Sequence, residues 1–173
     1  MRTHCADIDV AWYEVGTGPP LILIHGLGDD HRAWRRCLPD LVLSHRVILY
    51  DLRGHGATSV GAPAGTLGQL GSDLANLIES LELESAVVVG FSLGGTVAIR
   101  FAIDHPDKLG GLVMVATSSR VGRAAAQWYA ERSAMVDARD PELRATIDRD
   151  TEQVYRHSPE ELLGGLKIRR ESR

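Results

Sequence analysis

The sequence predicts an α/β fold: a mostly parallel, doubly wound sheet of about six strands, followed by a helical segment. Short apolar runs alternate along the chain with stretches whose apolar residues recur at helical spacing, which is typical of β-α-β units. A glycine-rich turn that contains Ser92 joins one such run to one such stretch. The length of 173 residues, with 44% hydrophobic content, is enough for one domain with a sizeable core.

The strands are predicted from short runs of apolar residues, several of them β-branched. The runs cover residues 10–15, 21–24, 46–50, 86–90 and 112–116, and residues 2–6 form a further, short edge strand. Glycines and prolines at 16–20 break the chain as a turn after the second strand. Because residues 21–24 and 112–116 are uninterrupted apolar runs, we expect both of these strands to be buried.

The core helices are predicted from apolar spacing and from the residues that end them. A helix over residues 67–81 has one apolar stripe, at positions 67, 70, 74, 77, 78 and 81. A second helix covers 92–104 and stops before Pro106, and a third covers 33–43 with an interruption at Pro39. Residues 53–65 form a glycine-rich loop.

The composition changes after Thr117. Residues 120–173 contain no β-branched apolar run, and instead show three helical stretches at 124–138, 141–155 and 159–169. We therefore predict a sheet-containing core over residues 1–119 and a helical lid over residues 120–173. The alternative is a plain helical extension with no role at the site.

The overall charge and composition exclude several classes of function. The net charge is −4 with both signs mixed along the chain, so no basic stripe or set of interleaved aromatics predicts binding to nucleic acid. The apolar runs of about four to six residues are too short to span a membrane. Cys5 and Cys37 lack metal-binding spacing and are most simply reduced thiols of a cytoplasmic protein without a signal peptide. No metal or organic cofactor is predicted.

The turn at residues 90–94, with the sequence GFSLG, is the strongest functional signal. It matches the G-x-S-x-G pattern in which a serine stands on a tight turn between a strand and a helix. Such a turn strains the serine backbone, and the glycines on either side remove side chains that would collide. The first N–H groups of the helix, including that of Leu93, then point toward the serine and favour a developing negative charge.

Two further motifs follow predicted strands at the edge of the sheet where ligand sites of parallel sheets form. Residues 25–28, with the sequence HGLG, can aim the Leu27 backbone N–H at the same carbonyl, so that Leu27 and Leu93 complete an oxyanion hole. Residues 51–56, with the sequence DLRGHG, are assigned no chemistry. We expect Asp51 and Arg53 to pair and fix this loop, and His25 and His55 to be hydrogen-bonded structural residues. His4, His31, His45 and His105 are expected at the surface.

These three motifs, in this order, resemble the α/β-hydrolase fold superfamily, and the resemblance covers residues 7–119. Within it, residues 26–34 and 117–122, with Trp128, look most like the 3-oxoadipate enol-lactonase and carboxylesterase branch. The resemblance implies hydrolysis of a carboxylic ester or lactone, a small-molecule substrate, through an acyl-serine on Ser92. Other branches on this scaffold include C–C bond hydrolases, perhydrolases and acyltransferases. Trp128 and Tyr129 in the lid would then shape the pocket.

The chain departs from this family pattern after Ser92. In the superfamily an acid and then a histidine follow the serine, usually after strands seven and eight, but here only six strands can be counted. Some members carry the acid after strand six, where this chain has Thr117, Ser118 and Ser119. His157 is the only histidine after His105, and as a base it is the less favoured interpretation. We therefore expect the final two strands of the fold, the catalytic histidine and the acid to lie outside this chain.

Two functional hypotheses remain open at this point. The first is a serine hydrolase whose catalytic machinery is incomplete in these 173 residues. The second is a non-catalytic remnant or interaction protein on a hydrolase scaffold. If no strand follows, residues 112–116 become an unprotected apolar sheet edge, and we expect self-association through it. Alternatively, the helices of residues 120–173 fold back and cover this edge.

Overall fold

The computed structural model describes residues 1–62, 65–138, 140–142 and 145. It contains six strands, each within a few residues of a predicted one. They are β1 (Arg2–Cys5), β2 (Ile8–Val15), β3 (Pro20–Ile24), β4 (Arg46–Tyr50), β5 (Ala86–Phe91) and β6 (Leu109–Val115). The prediction of about six strands is confirmed.

All six strands belong to one sheet, in the order β1-β2-β4-β3-β5-β6. The strands β4, β3, β5 and β6 run parallel, whereas β1 and β2 form an antiparallel hairpin that pairs antiparallel with β4. The register aligns Ile24 of β3 with Tyr50 of β4 and with Gly90 of β5. The loops that follow these three parallel strands therefore begin side by side at one edge of the sheet, and this edge carries the three motifs.

The helices are α1 (Leu38–Leu41), α2 (Leu67–Ser80), α3 (Leu93–Asp104) and α4 (Arg123–Asp137), with short 3-10 helices at His31–Trp34 and Pro106–Lys108. The predicted helix over 33–43 is wrong, because the chain forms only the 3-10 turn and the single turn α1 there. Pro39 lies in the first turn of α1, where its missing N–H costs no hydrogen bond, so it starts this helix instead of interrupting one.

The two faces of the sheet are packed differently. The larger apolar cluster lies on the face covered by α2 and α3, and includes Leu74, Leu77, Ile78, Val97 and Phe101. The other cluster contains the alternate residues of β3 and β4, covered by the side chains of the 3-10 turn and of α1. This alternation is what strands buried on both faces require.

The strand β6 is the last in the sheet order, which agrees with the expectation of an edge at residues 112–116, and the prediction that these residues form a buried strand is wrong. Val113 is 46% exposed, Met114 55% and Val115 39%. The strand pairs with β5 on one side, and within the described residues no strand pairs with its other side. An apolar strand can be exposed because burial is decided by its neighbours in the sheet, which its own sequence does not specify.

The chain divides into two compact units, one over Met1–Arg120 and a second that begins at Val121. The second unit contains α4, which agrees within one residue with the stretch predicted at 124–138. Within α4 the rings of Trp128 and Tyr129 meet edge to face with centroids 5.1 Å apart, and the Arg132 guanidinium lies 4.7 Å from the Trp128 ring centroid. All but three residues of the stretch predicted at 141–155, and all of that at 159–169, lie outside the described residues. The role of residues 120–173 as a lid stays a prediction.

Among the helices that the structure describes, none is long and apolar enough to cross a membrane.

The exposed strand β6 predicts self-association of the chain. We expect the protein to sediment as a monomer–dimer mixture, because the side of β6 that pairs with no strand of the described residues can extend the sheet with a second copy. Val113→Lys places a charge on this apolar edge and should shift the mixture toward monomer. Leu43→Lys changes an apolar residue that is 83% exposed outside the sheet, and should leave the mixture unchanged. A wild-type monomer that unfolds cooperatively well above about 50 °C would contradict this prediction.

Candidate active site

Ser92 lies at the turn between β5, which ends at Phe91, and α3, which begins at Leu93. Its backbone angles are φ 52° and ψ −115°, in a region that residues with a side chain rarely adopt. Such a conformation costs about 1–3 kcal/mol and persists only where the surrounding structure imposes it. The side chain of Ser92 does not cap α3, so its hydroxyl is not engaged by the N–H groups of the helix.

The glycines around Ser92 allow the close contact between strand and helix. A methyl group at Gly90 would collide with the carbonyl oxygen of Gly94, and one at Gly94 would collide with the carbonyl oxygens of Ile24 and His25. Gly94 lies in the first turn of α3, so this helix start packs directly on the end of β3. Not even a methyl group fits between them, which explains the two glycines in the motif.

The loop after β3 also comes close to Ser92. A Cβ atom at Gly26 would lie 3.4 Å from the Ser92 Cβ atom and 3.1 Å from the Phe91 ring. Leu27 follows directly, and its side chain is 57% exposed at the sheet edge. Gly28, at φ 72°, turns the chain away after it. The segment predicted to supply an oxyanion donor thus adjoins the segment that carries the serine.

His25 fixes the start of this loop from within. Its side chain is fully buried; Nδ1 lies 2.7 Å from the Gly26 carbonyl oxygen, and Nε2 lies 3.0 Å from the Leu52 nitrogen. Because the Leu52 N–H donates to Nε2, the proton of the neutral ring is on Nδ1, which donates to Gly26. Burial lowers the pKa of His25, so the ring stays neutral where an exposed histidine would begin to protonate. Both nitrogens are used in the fold, as expected for a structural histidine.

Asp51 anchors the other end of the same loop, and the predicted pairing of Asp51 with Arg53 is wrong. The buried Asp51 carboxylate accepts hydrogen bonds from the backbone N–H and the Nδ1 of His31, both at 2.8 Å, and from the Ala57 N–H at 2.9 Å. The His31 ring stacks on Tyr13 with centroids 3.9 Å apart. His31 is therefore a half-buried loop anchor and not the plain surface residue that was expected.

Arg53 instead joins three other segments, two of which are distant in sequence. Its guanidinium binds the Asp73 carboxylate of α2 at 2.7 and 2.8 Å, the Asp7 carboxylate of the β1–β2 turn at 2.7 and 2.9 Å, and the Val60 carbonyl oxygen at 3.1 Å. The Arg53 hydrogen bonds hold the pKa of Asp7 well below its usual range. The two carboxylate partners lie 20 and 46 residues away in sequence, so the expected ion pair between near neighbours does not form.

Asp30, His31 and Asp51 bring three potential metal ligands within 4.8 Å of one another. Their atoms are already engaged, because Asp30 forms an ion pair with Arg32 and Asp51 accepts three N–H groups. The cluster is accounted for as a hydrogen-bonded anchor of the loop after β3.

No histidine among the described residues forms a hydrogen bond with the Ser92 hydroxyl. His55 bonds the Arg53 carbonyl oxygen, and His4 and His45 bond Asp9 and Ser44. His157 lies outside the described residues. After β6, the chain places the hydroxyl of Thr117 against the backbone of Ser92, 2.7 Å from its carbonyl oxygen. This contact was missed by the sequence analysis, which considered only carboxylates at that position.

Comparison with known proteins gives a consistent result. A family model described as the alpha/beta hydrolase fold matches residues 19–164. The chain is 32% identical over 112 residues to 3-oxoadipate enol-lactonase 2 of Acinetobacter baylyi, and 36% identical over 117 residues to 2-hydroxymuconate semialdehyde hydrolase of a Pseudomonas species. Each match covers 65% of this chain, and 42% and 41% of those proteins.

Solved structures show the same similarity. An esterase of Thermogutta terrifontis matches with a TM-score of 0.78 and 29% sequence identity, over 92% of this chain and 63% of that one. A hydrolase of Pseudomonas aeruginosa matches with a TM-score of 0.75 and 34% identity, over 88% of this chain and 59% of that one. The chain thus spans less than two thirds of the length of the proteins that it matches.

The close packing at Gly94 predicts opposite effects of the same substitution in two helices. Gly94→Ala should lower the free energy of unfolding by about 1–3 kcal/mol, because the new methyl meets two backbone carbonyl oxygens. Gly68→Ala is the matched control, since Gly68 is likewise the second residue of its helix, but a methyl group there would lie 3.8 Å from the nearest neighbouring atom, the Thr66 hydroxyl oxygen. It should be neutral or stabilise by up to about 1 kcal/mol. Urea unfolding measures both, and equal effects would contradict the packing argument.

The buried neutral His25 predicts a pH dependence of stability. Below the ordinary histidine pKa of 6.5, the unfolded chain binds a proton at this residue that the folded chain does not. Its contribution to stability is therefore complete above pH 6.5 and declines as the pH falls toward the lowered folded pKa. In His25→Asn, urea unfolding between pH 7 and 5 should show a shallower loss of stability. His45→Asn, which changes a surface ring bonded to Ser44, should retain the wild-type slope.

Proposed function

The chain belongs to the α/β-hydrolase fold family, and from this premise we propose that Ser92 is the nucleophile of a serine hydrolase that acts on a carboxylic ester or lactone. The observation that carries the proposal is the backbone of Ser92, held at φ 52° between β5 and α3 with its hydroxyl unused by the helix. A structural serine has no need of a strained turn at the edge of the sheet where ligand sites form.

The proposed reaction proceeds through an acyl-serine. The Ser92 oxygen forms a bond with the substrate carbonyl carbon while its proton passes to a base, and the carbonyl oxygen becomes an oxyanion. The backbone N–H groups of Leu27 and Leu93 are proposed to hold this oxyanion. The bond to the alcohol oxygen then breaks, the alcohol takes the proton from the base, and water releases the acid in the same way.

The base and the acid that orients it are proposed to lie outside the described residues. His25 has both ring nitrogens engaged with backbone groups, and His31 is directed to the Asp51 carboxylate. Polypeptide that continues the fold beyond these 173 residues is the first proposed source, and His157 is the second. The relatives extend well beyond the part that this chain matches, which supports the first source.

The surroundings of Ser92 support a substrate with an apolar part. Phe91 precedes the serine and is 37% exposed, and Leu27, which follows Gly26 in the adjoining loop, is 57% exposed. Similar proteins are named as an enol-lactonase, a semialdehyde hydrolase and an esterase. Because two of these three names refer to a lactone or an ester, an ester or lactone is the proposed substrate class.

A second candidate function is a non-catalytic scaffold or interaction protein. The observation in its favour is that no histidine within the described residues contacts the Ser92 hydroxyl. Under this hypothesis the strained turn is retained from the family and carries no chemistry.

Labelling with a fluorophosphonate probe, detected by mass spectrometry, separates these hypotheses. Without its base, Ser92 retains only the oxyanion and binding effects, which leave roughly 10³- to 10⁴-fold catalysis over water in serine hydrolases. We therefore expect little turnover of p-nitrophenyl acetate and no labelling of the chain alone. Added imidazole, which can accept the serine proton, should produce labelling that is lost in Ser92→Ala.

The outcomes of this experiment differ for each hypothesis. Strong labelling without imidazole that is lost in Ser92→Ala would place a base within the 173 residues, with His157→Ala the next variant to test. An absence of Ser92-dependent labelling under both conditions would favour the non-catalytic scaffold.

A further inference from the structure

The end of β6 holds the backbone of Ser92 on both sides. The Ser92 N–H donates to the carbonyl oxygen of Val115 at 2.9 Å. The Thr117 hydroxyl donates to the carbonyl oxygen of Ser92 at 2.7 Å. The peptide groups before and after Ser92 are therefore both hydrogen-bonded to the end of β6, one to Val115 and the other to Thr117 just after it.

A turn in the chain brings the Thr117 side chain into this position. Ala116 adopts φ 47°, a left-handed conformation that alanine rarely takes, and so turns the chain back toward α3. A methyl group at Gly95 would lie 2.5 Å from the Thr117 methyl carbon. The space that Gly95 leaves open in α3 is thus filled by Thr117, so packing and hydrogen bonding fix the same side chain.

The Thr117 bond differs from the other bonds to the Ser92 carbonyl oxygen. The remaining donors are the N–H groups of Gly95 and Thr96, at 3.0 and 3.2 Å, and the Thr96 hydroxyl at 3.4 Å. All of these belong to α3 itself, so they connect Ser92 to no other element. Within the described residues, the Thr117 hydroxyl is the shortest contact and the one that ties the carbonyl group of Ser92 to the sheet.

We propose that Thr117 is a positioning residue that holds Ser92 in its strained conformation and so directs the serine hydroxyl away from the helix. The proposal rests on the proposed function of Ser92 as a nucleophile. It also gives a physical reason for a hydroxyl at this position, because an ionised carboxylate has no proton to donate to a carbonyl oxygen. Thr117 touches no reacting atom, and its effect on chemistry acts through the backbone of Ser92.

The first measurement needs no catalytic activity. Amide hydrogen exchange and backbone chemical shifts of Ser92 and Gly95 are recorded by NMR on the 173-residue chain. Thr117→Val keeps the shape of the side chain but removes the donor to the Ser92 carbonyl oxygen. Because the Ser92 turn is then held less firmly, the Ser92 N–H, which donates to Val115, should exchange about tenfold faster. Thr117→Ser restores the donor and should return to the wild-type rate. Ser118→Ala removes a neighbouring hydroxyl that bonds the Arg120 carbonyl oxygen, and should change nothing at Ser92.

The second measurement tests the consequence for chemistry. In the imidazole-supported labelling reaction, the Ser92 oxygen bonds to phosphorus, fluoride leaves, and imidazole takes the hydroxyl proton. Thr117→Val should lower the maximal labelling rate about tenfold and leave the half-saturating probe concentration unchanged, because binding does not involve Thr117. Thr117→Ser should recover the rate.

The NMR measurement tests whether Thr117 holds the Ser92 backbone, and the labelling measurement tests whether Ser92 acts as a nucleophile. Unchanged exchange and shifts at Ser92 in Thr117→Val would overturn the positioning role. If Thr117→Val loses its far-UV circular dichroism, Thr117→Ala serves as the variant without a donor. If the wild-type chain gives no Ser92-dependent labelling while exchange responds as expected, the proposed hydrolase function fails and the hold of Thr117 on Ser92 stands.

Discussion

The rest of the structure depends on the contact between the start of α3 and the ends of β3 and β5, where backbone meets backbone. Gly90 and Gly94 leave no side chain between the helix and the strands, and any methyl group there would collide with carbonyl oxygens. This close approach forces the turn at Ser92 into its positive φ and brings the loop after β3 to the serine. The packing of the sheet around Ser92 offsets the free-energy cost of its strained conformation.

Buried polar groups then determine the shape of the loops at this sheet edge. His25 and Asp51 hold the two ends of the loop that carries Leu27, each through hydrogen bonds to backbone N–H or carbonyl groups. Arg53 performs the same role for the next loop through two carboxylates and a carbonyl oxygen. Because a buried polar group without its partner costs about 1–3 kcal/mol, these bonds restrict the loops more than apolar packing alone would.

The candidate site therefore combines contacts of residues that follow four parallel strands, and the sequence predicted these contacts unequally. The serine turn was predictable, because a G-x-S-x-G pattern between a strand and a helix allows few conformations. The loop after β3 was expected near it, because both follow strands of a parallel sheet. The partners of Asp51 and Arg53 were not, since each side chain bonds residues that only the sheet order brings near. The role of Thr117 was missed for the same reason: the turn at Ala116 directs its hydroxyl, and no local pattern encodes that turn.

The sequence by itself determined the order of strands and helices and the position of the serine, because apolar periodicity and glycine spacing are local properties that the chain carries wherever it folds. It left open whether the run at 112–116 is buried or lies at an exposed edge, and it did not determine that a long helix over 33–43 does not form. Those outcomes were decided by tertiary structure: a strand is buried only if neighbours lie on its faces and edges, and a short helix persists only where another surface packs on it. Hydrogen bonds between residues distant in sequence are likewise set by the fold.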